Sequence, residues 1–382
     1  VDDSILDQVS FTRLSNEPMI AGQYIEQSLA LIDQARHPLI IAGYGCIRAG
    51  AQASLGSISE RLNIPVTSSL KAKGAIDERS SLSLGSLGVT SGGYAMRYLD
   101  QEADLVLMLG AGFNERTSYV WDSKLLAGKK LIQVDNNAQQ LEKVFRADLV
   151  VQADLGAYLQ ALDDAVQQQR LAAKESVDVA AFIKAAKQDI ENAGEIIFNE
   201  QFDHVQAFYH WLERQFPDGL VMFDDNIVFA QNFYRVSAND RFCPNTGISS
   251  LGHAIPAAIG AACSVKKPMF AIIGDGGFQM CAMEIMTAVN YNIPLNVVLF
   301  NNNTMGLIRK NQHQHYQDRF IDCDFTNPEY AILAQSFGIK HVRVESQHDL
   351  SGLAEAMDFH NAINLIEIMI DQDAYPNYSS RR

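Results

Sequence analysis

Short apolar runs alternate with amphipathic stretches along most of the chain. In the first half, apolar runs that end in small or polar residues lie at 38–45, 64–70, 103–113 and 130–135. Before them, Ile25, Leu29 and Ile32 keep helical spacing, and Pro38 ends that stretch. Because strands that are apolar throughout and alternate with helices form parallel sheets covered on both faces, the pattern predicts an α/β fold.

A second pattern of the same kind begins near Phe202, where Val205, Phe208 and Leu212 form a helical stripe before a strand-like run. Between the two patterns lies a stretch rich in Ala, Lys, Gln and Glu that predicts helix only. We therefore expect an α/β fold of two doubly wound parallel-sheet domains, the first Rossmann-like. The predicted division is a linker at 1–18, a domain at 19–164, a helical connector at 165–200 and a domain at 201–382.

Composition and charge narrow the classes of function. The 382 residues are 47% hydrophobic with a net charge of −15, which argues against a surface for nucleic acid or an anionic membrane. Neither a membrane-spanning run nor a secretory signal is found. The five cysteines are scattered without a C-x-x-C pair, so neither a disulfide framework nor a zinc site is predicted. We expect a cytoplasmic protein.

The stretch at 269–306 carries the clearest chemistry. It predicts a strand, a glycine-rich turn at 274–277, a helix from Phe278, a second strand and a polar loop that begins at Asn301. A strand–helix–strand unit returns the chain parallel to itself. If its strands are neighbours, Asp275 and Asn302 lie together at the carboxyl edge of the sheet, where open α/β sheets bind ligands.

This juxtaposition favours a hard cation that carries a phosphate. Asp275 offers a carboxylate oxygen, Asn302 an amide oxygen and Thr304 a backbone carbonyl, which are ligands of the kind Mg²⁺ prefers. Glycines 276 and 277 allow an anion to approach the backbone at a helix N-terminus. Since one carboxylate with two neutral oxygens binds Mg²⁺ only weakly, we expect the ligand to supply further negative charge. The alternative for each motif taken alone is an ordinary turn.

These motifs resemble those of a known family. Gly274-Asp275-Gly276, together with Asn301-Asn302, resembles the thiamine diphosphate signature, and ISSLGHAIPAAIGA at 248–261 resembles the helix entry before it. That arrangement is found in acetohydroxyacid synthases, pyruvate oxidases, glyoxylate carboligase and related 2-oxo acid decarboxylases. Residues 19–155 resemble the central domain of the same enzymes. The resemblance implies a central domain followed by a domain that binds thiamine diphosphate and Mg²⁺.

By the same resemblance, Mg²⁺ would be held by Asp275, Asn302 and the Thr304 carbonyl. Leu251 falls where the family places a bulky apolar residue beneath the cofactor, with core packing as the alternative. Asn226 and Ile227 match a second diphosphate loop, although its usual glycine is missing. The implied cofactor-binding residues are Asn226, Ile227, Leu251, Gly274, Asp275, Gly276, Gly277, Asn302, Thr304, Met305, Gly306 and Leu307.

The resemblance implies a lyase or transferase that decarboxylates a 2-oxo acid and transfers the acyl unit to a second carbonyl, as acetolactate synthase does. The family's activating glutamate lies on an N-terminal domain that no segment here resembles. Glu115 and Glu284 belong to other elements, so no catalytic residue is assigned. We expect a truncated or split enzyme that does not catalyse alone. The alternative is a non-catalytic subunit that binds the cofactor diphosphate.

Several other properties stay open in the sequence. A site completed across an interface implies a homodimer or homotetramer. Some relatives hold FAD in the central domain and others do not. The glycines at the strand ends of this chain are compatible with either case. Asn311 replaces a tryptophan that favours large acceptors in branched-chain synthases. His253 is a candidate for substrate contact, whereas His313 and His315 make a poor metal pair. A dinucleotide oxidoreductase is disfavoured, because Gly43-Tyr44-Gly45 lacks the third glycine of that fingerprint.

Overall fold

The computed structural model describes residues 22–88, 91–112, 122, 124–174, 177–247 and 249–378. The predicted linker at 1–18 and Glu115 lie outside these residues. Two six-stranded sheets, each wholly parallel, are flanked by helices on both faces. The predicted fold of two doubly wound α/β domains is therefore confirmed.

The first sheet has the strand order β3-β2-β1-β4-β5-β6. Its strands are β1 (Pro38–Ala42), β2 (Val66–Ser69), β3 (Ser83–Leu87), β4 (Leu105–Leu109), β5 (Lys130–Asp135) and β6 (Leu149–Gln152). Its helices are α1 (Gly22–Gln34), α2 (Tyr44–Arg48), α3 (Gln52–Leu62), α4 (Tyr94–Gln101), α5 (Leu155–Gln169) and α6 (Val179–Asn192). Strands β1 and β4 are buried along their whole length, as their unbroken apolar runs predict.

Successive residues of β1 enter different cores. Ile40 packs with α1, α3 and α5 on one face, whereas Leu39 and Ile41 pack with α4 and α6 on the other. Helix α6, which lies in the predicted connector, is held there through Phe182, whose ring meets that of Tyr98 edge-on at 5.2 Å between centroids. The segment between the two sheets therefore packs on the first one.

The second sheet has the strand order β11-β12-β10-β9-β7-β8. Its strands are β7 (Val221–Asp224), β8 (Arg241–Pro244), β9 (Met269–Gly274), β10 (Leu295–Asn301), β11 (Lys340–Val344) and β12 (Ile363–Met369). Its helices are α7 (Asp203–Gln215), α8 (Val228–Phe233), α9 (Ala254–Ala262), α10 (Asp275–Cys281), α11 (Ile285–Tyr291), α12 (Gly306–Tyr316), α13 (Tyr330–Phe337) and α14 (Leu353–Ala356). None of the described helices is both long and apolar enough to cross a membrane.

One predicted boundary at the glycine-rich stretch is wrong. The helix expected from Phe278 begins at Asp275, so the glycines form its first turn, and a single 3₁₀ turn at Ala282–Glu284 separates α10 from α11. The absence of side chains lets this turn pack closely: a Cβ atom at Gly277 would lie 2.6 Å from Asp225 Oδ2. Gly277 therefore allows the first turn of the helix to pack closely against Asp225.

Candidate functional site

The ends of strands β9 and β10 lie together at the carboxyl edge of the second sheet. Strands β9 and β10 are neighbours, with Gly274 opposite Phe300, so the residues that follow each strand lie side by side. The backbone N–H of Asn302 donates to Asp275 Oδ2 at 3.0 Å. The contact between Asp275 and Asn302 that the strand–helix–strand pattern predicts is therefore present.

The Asp275 carboxylate uses its two oxygens differently. Oδ2 accepts hydrogen bonds from the N–H groups of Asn302 at 3.0 Å and Asn303 at 2.7 Å. It also accepts one from Asn327 Nδ2 at 2.8 Å, whereas Oδ1 accepts one from the Gly276 N–H at 2.9 Å. Burial raises the pKa of Asp275 despite these donors. With Oδ2 fully engaged, Oδ1 is the oxygen that remains to meet a ligand.

The Asn302 side-chain amide lies close to both other groups that are predicted to hold Mg²⁺. One terminal atom of the Asn302 side-chain amide lies 2.8 Å from the Thr304 carbonyl oxygen and 3.2 Å from Asp275 Oδ1. If that atom is nitrogen, it donates to both oxygens. If it is oxygen, it faces two further acceptors at 2.8 and 3.2 Å, separations close to the roughly 2.9 Å between adjacent oxygens around an octahedral Mg²⁺. The donor set therefore fits a small hard cation.

The predicted cation site would take most of its ligands from amide and carbonyl oxygens. Within the described ranges, no three His, Cys, Asp or Glu side chains are grouped as a metal would require. The position of the Thr304 carbonyl is fixed by the neighbouring segment, since Met305 N–H donates to Cys323 O at 2.8 Å and the Thr304 hydroxyl to Cys323 O at 2.9 Å. The loop is therefore shaped before any ligand arrives.

The loop after β7 lies beside the glycine-rich turn. Asn226 has a φ of 67°, in the left-handed region that favours glycine and that Asn tolerates better than most residues. This explains how the loop forms without the expected glycine. The Ile227 N–H donates to Asp224 Oδ1 at 2.7 Å, and Ile227 Cδ1 lies 3.6 Å from where a Cβ of Gly274 would be.

Asp225 is a site residue that the sequence analysis missed. Its carboxylate accepts hydrogen bonds from the N–H groups of Gly252 at 2.8 Å and His253 at 3.0 Å. These bonds hold the turn that carries half-buried Leu251 at the same edge, where a Cβ of Gly252 would lie 3.4 Å from Met280 Cβ. Its place after the strand end at Asp224 was the signal available in the sequence.

Asp224 provides a pH-dependent prediction. Its carboxyl is fully buried, and burial raises its pKa from 3.8 to about 7, against the opposing hydrogen bonds from Gln231 and the Ile227 N–H. Between about pH 4 and pH 7 the folded chain holds a proton that the unfolded chain has lost, so stability falls as pH rises. We expect Asp224→Asn to flatten this decline and to be more stable than wild type at pH 8, by on the order of 1–3 kcal/mol.

Thermal or urea denaturation from pH 5 to pH 8 measures this effect. Asp100→Asn, at an exposed position, is the control and should keep the wild-type profile. An Asp224→Asn variant whose stability declined with pH as steeply as the wild type would contradict the assignment.

The remaining predicted cofactor residues lie at the start of α12. The Met305 sulfur is the nearest atom to the Cβ position of Gly276, and a Cβ at Gly306 would lie 2.7 Å from Asn302 Nδ2. Leu307 is half-buried in the first turn of the helix. The structure therefore brings the segments at 225–227, 251–253, 274–277 and 302–307 to one edge of the sheet.

Other singled-out residues lie elsewhere. Glu284 is exposed in the 3₁₀ turn between α10 and α11. His313 Nδ1 lies 2.5 Å from Asp318 Oδ1, and its ring stacks on Tyr375 with centroids 4.7 Å apart. Asn311 and His315 line a groove along the outer side of α12. His313 therefore contacts Asp318 and Tyr375, whereas His315 faces the groove.

A separate cleft of about 760 Å³ lies at the carboxyl edge of the first sheet and reaches the second domain at Thr246, Gly247 and Ser249. Its first-domain lining includes Arg48 and Lys71. Gly43 leaves no room for a side chain, because a Cβ there would overlap the Gly110 carbonyl, and a Cβ at Gly45 would lie 2.8 Å from Gly110 Cα. These glycines are therefore explained by the packing of two loops.

Comparison with known proteins connects this geometry to a family. Residues 225–368 match the family model described as the C-terminal TPP binding domain of thiamine pyrophosphate enzymes. Residues 25–162 match the central domain of the same enzymes, and the two matches together span most of the chain. The chain belongs to the thiamine pyrophosphate enzyme family. The first sheet is thus its central domain and the second its cofactor-binding domain.

Curated members of the thiamine pyrophosphate enzyme family are similar over nearly all of the chain. The mitochondrial acetolactate synthase of Schizosaccharomyces pombe is 29% identical over 91% of the chain and 54% of its own length. The acetolactate synthase of Arthrospira platensis is 28% identical over 96% of the chain and 65% of its own length. The acetolactate synthase isozyme 2 large subunit of Escherichia coli is 25% identical over 95% of the chain and 65% of its own length. The chain therefore spans 54–65% of the length of these relatives.

Proposed function

We propose that this protein binds thiamine diphosphate with Mg²⁺ at the carboxyl edge of the second sheet. The observation that carries the proposal is that the Asn302 side-chain amide lies 2.8 Å from the Thr304 carbonyl oxygen and 3.2 Å from Asp275 Oδ1. The glycines at 276 and 277, at the start of α10, support a diphosphate beside that cation. The match to a TPP-binding domain over the same residues is independent support.

We further propose an acetolactate-synthase-like reaction, in which a 2-oxo acid is decarboxylated and its acyl unit is passed to a second carbonyl. The cofactor supplies the electron sink for this chemistry when bound. In this chain, Asp275, Asn302 and Thr304 would hold the cation. Asp225 would fix the turn that carries Leu251. The Leu251 side chain would then lie beneath the cofactor. The acetolactate synthases among the relatives support the reaction class.

Calorimetric titration with thiamine diphosphate tests the binding proposal. We expect saturable binding in the presence of Mg²⁺ and a loss of about 100-fold or more in affinity when the cation is removed with a chelator, since the diphosphate carries the charge that a lean site needs. Thiamine without the diphosphate is the control ligand and should bind weakly in both conditions. Equal binding of thiamine diphosphate with and without the cation would overturn the site.

The reaction is tested separately with pyruvate and other 2-oxo acids. Because no activating glutamate is assigned on this chain, we expect the chain alone, loaded with thiamine diphosphate and Mg²⁺, to bind the cofactor without turnover. Addition of a polypeptide that carries the family's N-terminal domain should then release CO₂ and form an acyloin-type product. No turnover in that mixture would favour the alternative, a non-catalytic subunit that binds the diphosphate, and would reject the proposed reaction while the cation site stays intact.

FAD is a second proposed cofactor, and the cleft of the first domain is its proposed place. The cleft volume of about 760 Å³ and the charges of Arg48 and Lys71 are suited to a nucleotide with a diphosphate link. The purified protein should then show flavin absorbance at close to one flavin per chain, or should take up added FAD. A colourless protein that does not bind added FAD would reject this proposal.

We also propose a cytoplasmic homodimer or homotetramer. Exposed apolar side chains on α10, α11 and the turn between them support self-association, because Met280, Met283 and Tyr291 are 64%, 69% and 75% exposed. Light scattering should report at least a dimer, and Met283→Glu should shift the protein towards the monomer. A wild-type monomer at micromolar concentration would contradict this proposal.

A further inference from the structure

Asn327 reaches the Asp275 carboxylate from a loop far along the chain. Its segment runs along the cation loop, with Phe325 N–H donating to Asn303 O at 3.2 Å and Thr304 bridged to Asp324 in antiparallel fashion. Asn327 Nδ2 then donates to Asp275 Oδ2 at 2.8 Å. It is the side-chain donor among the three groups that occupy this oxygen.

The orientation of the Asn327 amide is fixed from its other end. Its Oδ1 accepts hydrogen bonds from Tyr330 OH at 2.8 Å and from Gln279 Nε2 at 2.7 Å, so Nδ2 has to face Asp275. Tyr330 is fully buried, which holds this end in place. The second hydrogen of Nδ2 is shared between Asn301 Oδ1 at 2.8 Å and Asn303 Oδ1 at 3.1 Å.

Asn301 is itself oriented by a buried carboxylate. Its Nδ2 donates to Glu367 Oε1 at 2.6 Å, and Glu367 is fully buried on β12. Burial by itself would raise the pKa of Glu367, but hydrogen bonds from His341, Asn301 and Arg343 hold it below its ordinary value. The charged Glu367 therefore directs the Asn301 amide, and a chain of fixed amides leads from it to Asp275.

We propose that Asn327 is a positioning residue for the cation site. By occupying Asp275 Oδ2, it holds the carboxylate in the rotation that turns Oδ1 towards Asn302 and the Thr304 carbonyl. Polar groups that orient the ligands of a metal typically contribute 10–100-fold to its affinity. This inference rests on the proposed function, because it concerns the same cation.

The test is Asn327→Asp, which keeps the size of the side chain and the oxygen that accepts from Tyr330 and Gln279. It replaces the donor to Asp275 by an oxygen. We expect the Mg²⁺ concentration for half-maximal thiamine diphosphate binding to rise 10–100-fold, while the cofactor affinity at saturating Mg²⁺ changes less than about threefold. The matched control is Asn361→Asp, which removes an amide-to-carboxylate contact with Asp358 at an exposed site.

A change in the half-maximal Mg²⁺ concentration without a change in cofactor affinity at saturating Mg²⁺ distinguishes a positioning role from a structural role. A structural residue would lower the cofactor-free melting temperature and leave the Mg²⁺ dependence unchanged, and this outcome overturns the proposal. If Asn327→Asp does not fold, Asn327→Ala removes the same donor without adding a charge and is held to the same criterion. A wild type that binds thiamine diphosphate without Mg²⁺ overturns the cation site and this inference together. A Mg²⁺-dependent wild type matched by the variant overturns this inference alone.

Discussion

Asp275→Asn should reduce Mg²⁺-dependent binding of thiamine diphosphate by at least 100-fold while the protein stays folded. The variant removes the only negative charge among the three proposed ligands, which costs more than the 10–100-fold typical of a group that only orients a ligand. Its amide oxygen can still accept from the N–H groups of Asn302 and Asn303 and from Asn327 Nδ2. Three of the four hydrogen bonds at this carboxylate are thereby retained.

The amide nitrogen introduced by Asp275→Asn lies next to a neighbouring acceptor. It would occupy the place of Oδ1 and donate to the Asn302 side-chain oxygen 3.2 Å away, and it would lose the hydrogen bond from the Gly276 N–H. We therefore expect a melting temperature near that of the wild type in the absence of cofactor, and no rise on addition of Mg²⁺ and thiamine diphosphate.

Thermal unfolding with and without the ligands, combined with calorimetric titration, measures both effects. Asp164→Asn, on the exposed face of α5, is the matched control and should keep the ligand-dependent rise. Wild-type affinity in Asp275→Asn would show that the cation lies elsewhere.

The strongest prediction from sequence was the meeting of Asp275 and Asn302, because it follows from topology. Two buried apolar strands joined by one helix become parallel neighbours, and whatever follows each strand then shares an edge. The register of Gly274 with Phe300 fulfils this condition without help from the rest of the chain. Local pattern is sufficient where the contact lies within one supersecondary unit.

The supporting residues could not be predicted in the same way. Asn327 lies in a loop with no apolar periodicity, and nothing local indicates that its amide returns to Asp275. The sequence patterns also did not predict the short strands β3, β8 and β11. Each is an edge strand of its sheet and is only partly buried. Such a strand does not need a continuous apolar run in its sequence. Long-range placement decides both cases.

The effect on stability that we expect to be largest concerns a buried ion pair of the first domain, one member of which also contacts the second domain. Lys73 Nζ lies 2.5 Å from Glu78 Oε2, and the two side chains are 4% and 3% exposed. The same oxygen accepts from the Val236 N–H at 2.9 Å, and the Glu78 N–H donates to Val236 O at 2.9 Å. Glu78 thus joins a loop of the first domain to the chain after α8 in the second.

Glu78→Ala should destabilise the protein by about 3–5 kcal/mol, because it leaves the Lys73 charge buried and unpaired and removes the acceptor of the Val236 N–H. Urea denaturation monitored by fluorescence and circular dichroism measures the loss. Glu195→Ala is the matched control: it removes an exposed pair with Arg97 at 3.2 Å and should cost no more than about 1 kcal/mol.

A double variant separates the ion pair from the backbone contact. Lys73→Met with Glu78→Ala leaves no unpaired charge, so it should recover part of the stability lost in Glu78→Ala and retain only the cost of the orphaned Val236 N–H, about 1–3 kcal/mol. A double variant that is less stable than Glu78→Ala would mean that the buried lysine stabilises the fold by its packing. Equal losses in Glu78→Ala and Glu195→Ala would mean that the buried pair adds no more stability than an exposed pair does.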